Sequence, residues 1–411
     1  MIHQPPAGTR DLLPLDVAQK RWIADRLRQV FHQWGYQRII TSTLERMDAL
    51  TAGGAIDPDT VIQIEDTSEG RLGLRPELTA SIARAAVTRM AGSTYPQRLY
   101  YNANVFRRFK GGHHGRQMEF YQTGVELLHA AGSLADTEIL LLLAESLQSL
   151  GMAEWHIILG EAGLTRSLLS IFPESIQTTL RRCIANLDRV ALESFVHPDL
   201  SEGLREKALM LFDLRGKPAD VLQTVSSWDL DTRGKGMVNE LKNLCDRLEK
   251  SATNLAIVLD LSLIETIDYY TGIVFEVVSA QNNQYRVLGK GGRYDRLLEL
   301  YHPEGKSTPG VGFALNLEEL HACLLSSEDL PRSTPASDFL VIPISPQAEI
   351  AAIAHAQTLR NAEPSVRVEL DLGGRSPEGI REYAQNSRIS RLVWIEADGT
   401  PNIEILTDKT K

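Results

Sequence analysis

Cysteine is scarce in this 411-residue chain: there are three, Cys183, Cys245 and Cys323, set far apart. That excludes a disulfide framework or a zinc ribbon, and it reads as small buried hydrophobes in a reducing cytoplasm. Long apolar runs are missing as well. None approaches the ~18 residues that span a bilayer, and the N-terminal MIHQPPAGTRDLLP has no apolar stretch of the signal-peptide kind. Nor is there a basic surplus. Lys and Arg number 43 against 53 Asp and Glu, a net charge of −10, so the chain carries no bulk electrostatic footprint for nucleic acid. What is present is 43% hydrophobic residues over a length that allows two or three domains with real cores. The expectation is a soluble cytoplasmic protein with no membrane partner.

Periodicity organises the chain. Ile23, Leu27, Val30, Phe31 and Trp34 recur at helical spacing and predict an amphipathic helix over about 16–34, with Asp16 as its cap and Gly35 as its stop. A short strand over 36–40 follows, then a helix over 79–90. Residues 98–109 and 117–127 read as the arms of an antiparallel hairpin with a Gly- and His-rich tip. A third helix spans about 136–150. From about 167 to 250 polar, helix-prone text replaces strands and reads as a helical insertion. Strand-like text returns at 256–261, 274–279 and 285–288, followed by a glycine-rich turn over 289–293. Residues 326–337, SSEDLPRSTPAS, have linker composition. Alternating strands and helices over 338–411 indicate a small α/β domain.

Five segments stand out. They are Gly8–Pro14 (GTRDLLP), Leu74–Thr79 (LRPELT), the hairpin with Arg107, Phe109, Arg116, Gln122 and Glu126, the stretch Leu261–Glu276 (LSLIETIDYYTGIVFE), and Gly310–Leu320 (GVGFALNLEEL). Between the last two lies GKGGRYDRLL, whose glycines permit close backbone approach. It is not a phosphate-binding P-loop, because Leu300 stands where Gly305-Lys306-Ser307 would require a glycine. His113 and His114 lack neighbouring acids or cysteines and read as exposed turn residues, so no metal site is expected.

In this order, and over nearly the whole chain, these segments resemble histidyl-tRNA synthetases. The resemblance implies an α+β fold of the class II aminoacyl-tRNA synthetase type. An antiparallel sheet with helices would occupy 1–325, carrying the helical insertion at about 167–250. A linker at 326–337 would lead to a truncated anticodon-binding-like α/β domain at 338–411. It also implies a histidine-binding set. Glu77 would take the α-ammonium with Thr79 assisting, and a carboxylate on a proline-stiffened loop suits such a charge-assisted bond. Glu77 and Thr79 can equally be read as the cap of the following helix. Arg116, Gln122 and Glu126 match positions near the substrate, where an acid and an amide can orient an imidazole and fix its proton. Tyr269 and Tyr270 match the lining of the imidazole pocket, and Arg107 matches the arginine that holds the α-phosphate and carboxylate.

Three catalytic positions depart from the family pattern. Phe109 replaces the adenine-reading glutamate, Glu265 replaces a catalytic arginine, and Glu319 replaces the arginine that clamps the γ-phosphate. A cation ~4 Å from an anion gains about 4 kcal/mol at an effective dielectric near 20, and an acid there repels by a similar amount. Loss of the ATP clamp beside a retained histidine pocket is similar to one family of synthetase paralogues, the regulatory subunits of ATP phosphoribosyltransferase. That likeness implies a chain with no catalytic residue or cofactor of its own. It would act in the first step of histidine biosynthesis, pair with a short catalytic subunit, respond to L-histidine, self-associate as a dimer and bind no tRNA. An active histidyl-tRNA synthetase and a free-standing histidine sensor are the alternatives.

Overall fold

The computed structural model describes residues 3–52, 54, 56–66, 70–108, 117–251, 255–263, 270–281 and 284–406. They form two compact units that divide between Pro331 and Arg332.

The first unit is built on a mixed sheet that has nine strands among the described residues. Across the sheet these are Gln37–Arg38, Gln97–Phe106, Glu119–Leu128, Gly310–Asn316, Gln284–Arg293, Ile273–Gln281, Trp155–Glu161, Ile257–Asp260 and Arg215–Gly216. The five central pairings, from Gln97–Phe106 through Trp155–Glu161, are antiparallel. Side chains alternate between faces along each strand, and the two faces have different fates. One carries Val125, Leu127, Phe275, Phe313 and Leu315 into a large core with the helices Pro14–Gln33 and Ser133–Ser149. Arg98 also forks onto Glu138 of the second helix at 2.8 and 2.7 Å. A pair that retains this much solvent contributes at most about 1 kcal/mol, so apolar burial is what holds helix to sheet. The other face is covered only in part, by the helices Thr79–Val87 and Leu297–Tyr301 through Ile82, Leu297 and Leu298.

Several local expectations change in the structure. The first helix begins at Pro14, because Pro fits the first helical turn without needing its missing N–H. Asp16 therefore lies inside that turn, where its carboxylate accepts from the Leu13 amide at 3.1 Å. The strand expected over 36–40 contracts to Gln37–Arg38. The segment 289–293 is strand, not turn. Its glycines serve packing: a Cβ on Gly291 would collide with the Gly312 carbonyl and lie 2.5 Å from the Phe275 ring.

The helix-rich stretch holds six helices between Ala162 and Ser251, and its buried Leu180, Val221, Leu241 and Leu248 join the same core as the sheet. It also contributes the short strand Arg215–Gly216, paired to Leu259 and Asp260. A three-stranded sheet, Leu44–Arg46, Gly70–Leu74 and Ile62–Asp66, has no counterpart in the sequence reading. Its strands are short and rich in charged residues, and of Leu44–Arg46 only Glu45 is buried, bonded by Arg84 at 2.6 Å.

The second unit has a four-stranded sheet in the order Val368–Leu370, Phe339–Pro343, Arg391–Ile395, Pro401–Ile405, with the last strand antiparallel. Ala352 and Ala356 of the helix Glu349–Ala362 pack on one face, and Ile380 and Ala384 of Pro377–Asn386 on the other. The antiparallel edge strand is a further departure from the sequence reading.

Candidate functional site

The partly covered face of the main sheet is organised in transverse rows, because residues directly opposite on paired strands project to the same side. One row runs Tyr101, Gly124, Ala314, Lys290, Glu276. The next runs Leu99, Glu126, Gly312, Gly292, Val274. A third begins Ala103, Gln122, Asn316. The floor is thus small residues, walled by polar ones. Gly124 has to be glycine, since a Cβ there would lie 2.6 Å from the Tyr101 hydroxyl. A Cβ on Gly312 would collide with Glu126 Oε2.

Glu126 is 1% exposed. It accepts from Thr79 Oγ1 at 2.7 Å through one oxygen and from the Tyr294 hydroxyl through the other. Burial pushes its pKa up to about 8 against the pull of those two hydroxyls, so the side chain is mostly a neutral acid at pH 7. Glu77 accepts from the backbone amides of Thr79 at 2.6 Å and Ala80 at 2.9 Å and so caps the helix Thr79–Val87. Burial raises its pKa, and the two amides and Arg107 oppose the rise. A carboxylate has about four acceptor positions, so capping leaves Glu77 capacity for a further donor. Arg107 donates from Nε to the Pro76 carbonyl at 2.7 Å and lies 5.5 Å over the Phe120 ring. Burial lowers its pKa, opposed by Glu77.

Tyr270 lies against Gly292, where a Cβ would come within 2.7 Å of its ring. Burial, then Glu126, Glu77 and Glu276, raise its hydroxyl pKa, which ties Glu276 electrostatically to the same site. Of the buried side-chain polar atoms with no partner among the described residues, two belong to these rows: the Tyr101 hydroxyl and Gln122 Oε1. Such groups normally find a hydrogen bond. An open acceptor on Gln122 and an open hydroxyl on Tyr101 leave this face with unused hydrogen-bonding capacity.

The structure brings Glu77, Thr79, Gln122, Glu126 and Tyr270 to one face of one sheet. Arg116, Tyr269, Phe109 and Glu265 lie outside the described residues. Glu319 accepts from Arg286 Nη1 at 2.8 Å. Its charge is compensated, and the repulsion expected of a bare acid there is correspondingly smaller. Its neighbour Glu318 is held by Lys20 and by Arg10. Sequence reasoning missed Tyr101, Tyr294 and Lys290 as site residues. Tyr294 and Lys290 stand in the glycine-rich string that is conspicuous in the sequence, while Tyr101 is marked only by strand register.

The second unit has a cleft of its own, about 1130 Å³, beside Ser345, Asp371, Arg375 and Trp394. Its charges are largely matched internally, Arg375 with Asp371 at 2.7 Å and Arg381 with Glu404 at 2.7 Å.

A family model described as histidyl-tRNA synthetase matches residues 8–320. A Gloeothece citriformis protein named ATP phosphoribosyltransferase regulatory subunit is 62% identical over 407 residues, covering 98% of this chain and 99% of that protein. A Nostoc punctiforme protein of the same name is 59% identical over 406 residues, covering 99% of this chain and 100% of the other. Among solved structures, a Bacillus halodurans protein described as an ATP phosphoribosyltransferase regulatory subunit/histidyl-tRNA synthetase aligns with a TM-score of 0.80. It is 27% identical and covers 96% of this chain and 99% of that one. A histidyl-tRNA synthetase from Nostoc sp. aligns with a TM-score of 0.76 at 21% identity, covering 98% and 97%, and shares the fold.

Proposed function

Because the chain belongs to the family of ATP phosphoribosyltransferase regulatory subunits, a branch of the class II histidyl-tRNA synthetase fold, we propose that it is the non-catalytic regulatory subunit of that transferase. It pairs with a short catalytic subunit in the first step of histidine biosynthesis and makes the partner's activity responsive to L-histidine. The observation that carries this reading is the end-to-end identity of 62% to a relative of that name.

The pocket supports histidine as the effector. Glu77 offers an acid for the ammonium, Gln122 an open acceptor, and Tyr101, Glu126 and Tyr270 stand on the same face to meet a ring. Aminoacyl-adenylate formation and tRNA charging are lost in this reading. Glu265 and Glu319 stand where the synthetases carry arginines, and although Arg286 neutralises Glu319, it supplies no phosphate clamp in its place. Two copies associate through an apolar seam, supported by Leu13, Leu15, Val17 and Ile40, all exposed near the start of the chain.

The test is reconstitution. Added to the short catalytic subunit, the purified chain should raise phosphoribosyl transfer to ATP, and L-histidine should then inhibit it. Alone, the chain should give no histidine-dependent ATP–pyrophosphate exchange. Robust exchange, or a partner whose rate ignores this chain, would overturn the reading.

A further inference from the structure

We infer that Lys290 holds the carboxylate of the bound amino acid, a role that rests on the histidine-sensing reading above. In the row Tyr101, Gly124, Ala314, Lys290, Glu276 the two residues between Tyr101 and Lys290 are the smallest available. Gly124 is covered by the Tyr101 phenol, whereas Ala314 is partly exposed. Ala314 is therefore the open patch of floor. Along its row Gly124 separates it from Tyr101, whose hydroxyl is unpartnered, and in the next row it borders Gln122 with its unpartnered Oε1. On the other side, one strand away at ~4.8 Å, stands a lysine.

That lysine is well placed for a ligand. Its ammonium lies 2.5 Å from Glu276 Oε1, and its side chain is 55% exposed against 23% for Glu276. An ammonium carries three donors, and Glu276 occupies one of them. Glu276 thus steadies the lysine on the sheet face while leaving donors for an incoming anion. Taken as an ordinary surface ion pair, the two would contribute little and would have no reason to border an unsatisfied polar pocket. The arginines that the synthetase pattern provides for anionic groups are replaced by acids at 265 and 319. A cation delivered from the floor strand adds positive charge for the carboxylate of a zwitterion beside that of Arg107, whose Nε is committed to the Pro76 carbonyl.

The experiment is calorimetric titration of the complex of this chain with its catalytic subunit. The ligands are L-histidine and L-histidinol, which keeps the ring and ammonium but has a hydroxymethyl group in place of the carboxylate. Lys290→Gln should weaken histidine binding about tenfold, the loss of one charge-assisted bond at a partly solvated site. Lys290→Arg should restore most of it, and histidinol should bind wild type and Lys290→Gln alike. Equal histidine affinity in wild type and Lys290→Gln would overturn the assignment, as would a parallel loss of histidine and histidinol, which marks a collapsed pocket. Failure of wild type to bind histidine at all would instead strike the effector reading on which the assignment rests.

Discussion

Glu126 shows how burial decides the chemistry of a single side chain. Its carboxyl is enclosed by Thr79 and Tyr294, and its pKa rises to about 8 because few dipoles replace the lost water. The folded chain therefore keeps a proton that the unfolded chain gives up near pH ~4.3. Between that pH and about 8, stability should fall as pH rises, by at most ~1.4 kcal/mol per unit from this group. Below that window both states are protonated and the contribution is constant. Glu126→Gln removes the titration and keeps the shape. In urea unfolding followed from about pH 5.5 to about pH 8.5, which covers the upper part of that window, the variant should gain on wild type as pH rises. Parallel curves would show that the acid is ionised in the folded chain. Glu77, Thr79, Gln122, Glu126 and Tyr270 are legible in the sequence because each sits in a short string of recognisable spacing. Tyr101 is not, and although Lys290 stands in a conspicuous glycine-rich string, only the register of four strands sets the two on one row.

Strand and helix are joined at Arg293, the last residue of the strand Gln284–Arg293. Its guanidinium reaches Asp136 on the helix Ser133–Ser149 at 2.7 Å, Asp295 at 3.0 Å and the Ala130 carbonyl at 3.1 Å, and it is 6% exposed. Removing one partner of a buried pair strands the other charge, which costs about 3–5 kcal/mol. Arg293→Met should destabilise by that order in urea unfolding, and Arg293→Met with Asp136→Leu should recover part of the loss. A loss below ~1 kcal/mol, the value typical of solvent-exposed pairs, would mean that water reaches the pair. The glycine run 289–293 reads as a turn in the sequence for a related reason. Glycine signals both turns and close packing, and only the neighbouring strands tell them apart.

At the scale of the molecule, every described residue of the candidate pocket lies in the unit that ends at Pro331. The second unit has hydrophobic clusters of its own around Leu340, Ile342, Val341 and Val393. A chain cut to residues 1–331 should therefore keep its histidine affinity by calorimetry. Loss of binding with retained circular dichroism would give the second unit a part in the site. The exposed Leu13, Leu15, Val17 and Ile40 make the first unit the expected seat of self-association. Sedimentation of the full chain at micromolar concentration should find a dimer, and a concentration-independent monomer would remove that seam from the proposal.

The order of the motifs, through their resemblance to histidyl-tRNA synthetases, determined the family, the fold class and which arginines are absent, because such a resemblance rests on residue identity and local spacing. Helix periodicity likewise located Pro14–Gln33 and Ser133–Ser149 to within a turn, since an apolar stripe at 3.6-residue spacing has few other uses. Tertiary structure decided the rest. It gave the acid at Glu319 a compensating Arg286, made Glu126 a neutral acid, and aligned an unpartnered Tyr101 with Lys290 across a floor of small residues. Each of these depends on strand register and burial, which are set by pairings between residues far apart in the chain and leave no local trace in the order of amino acids.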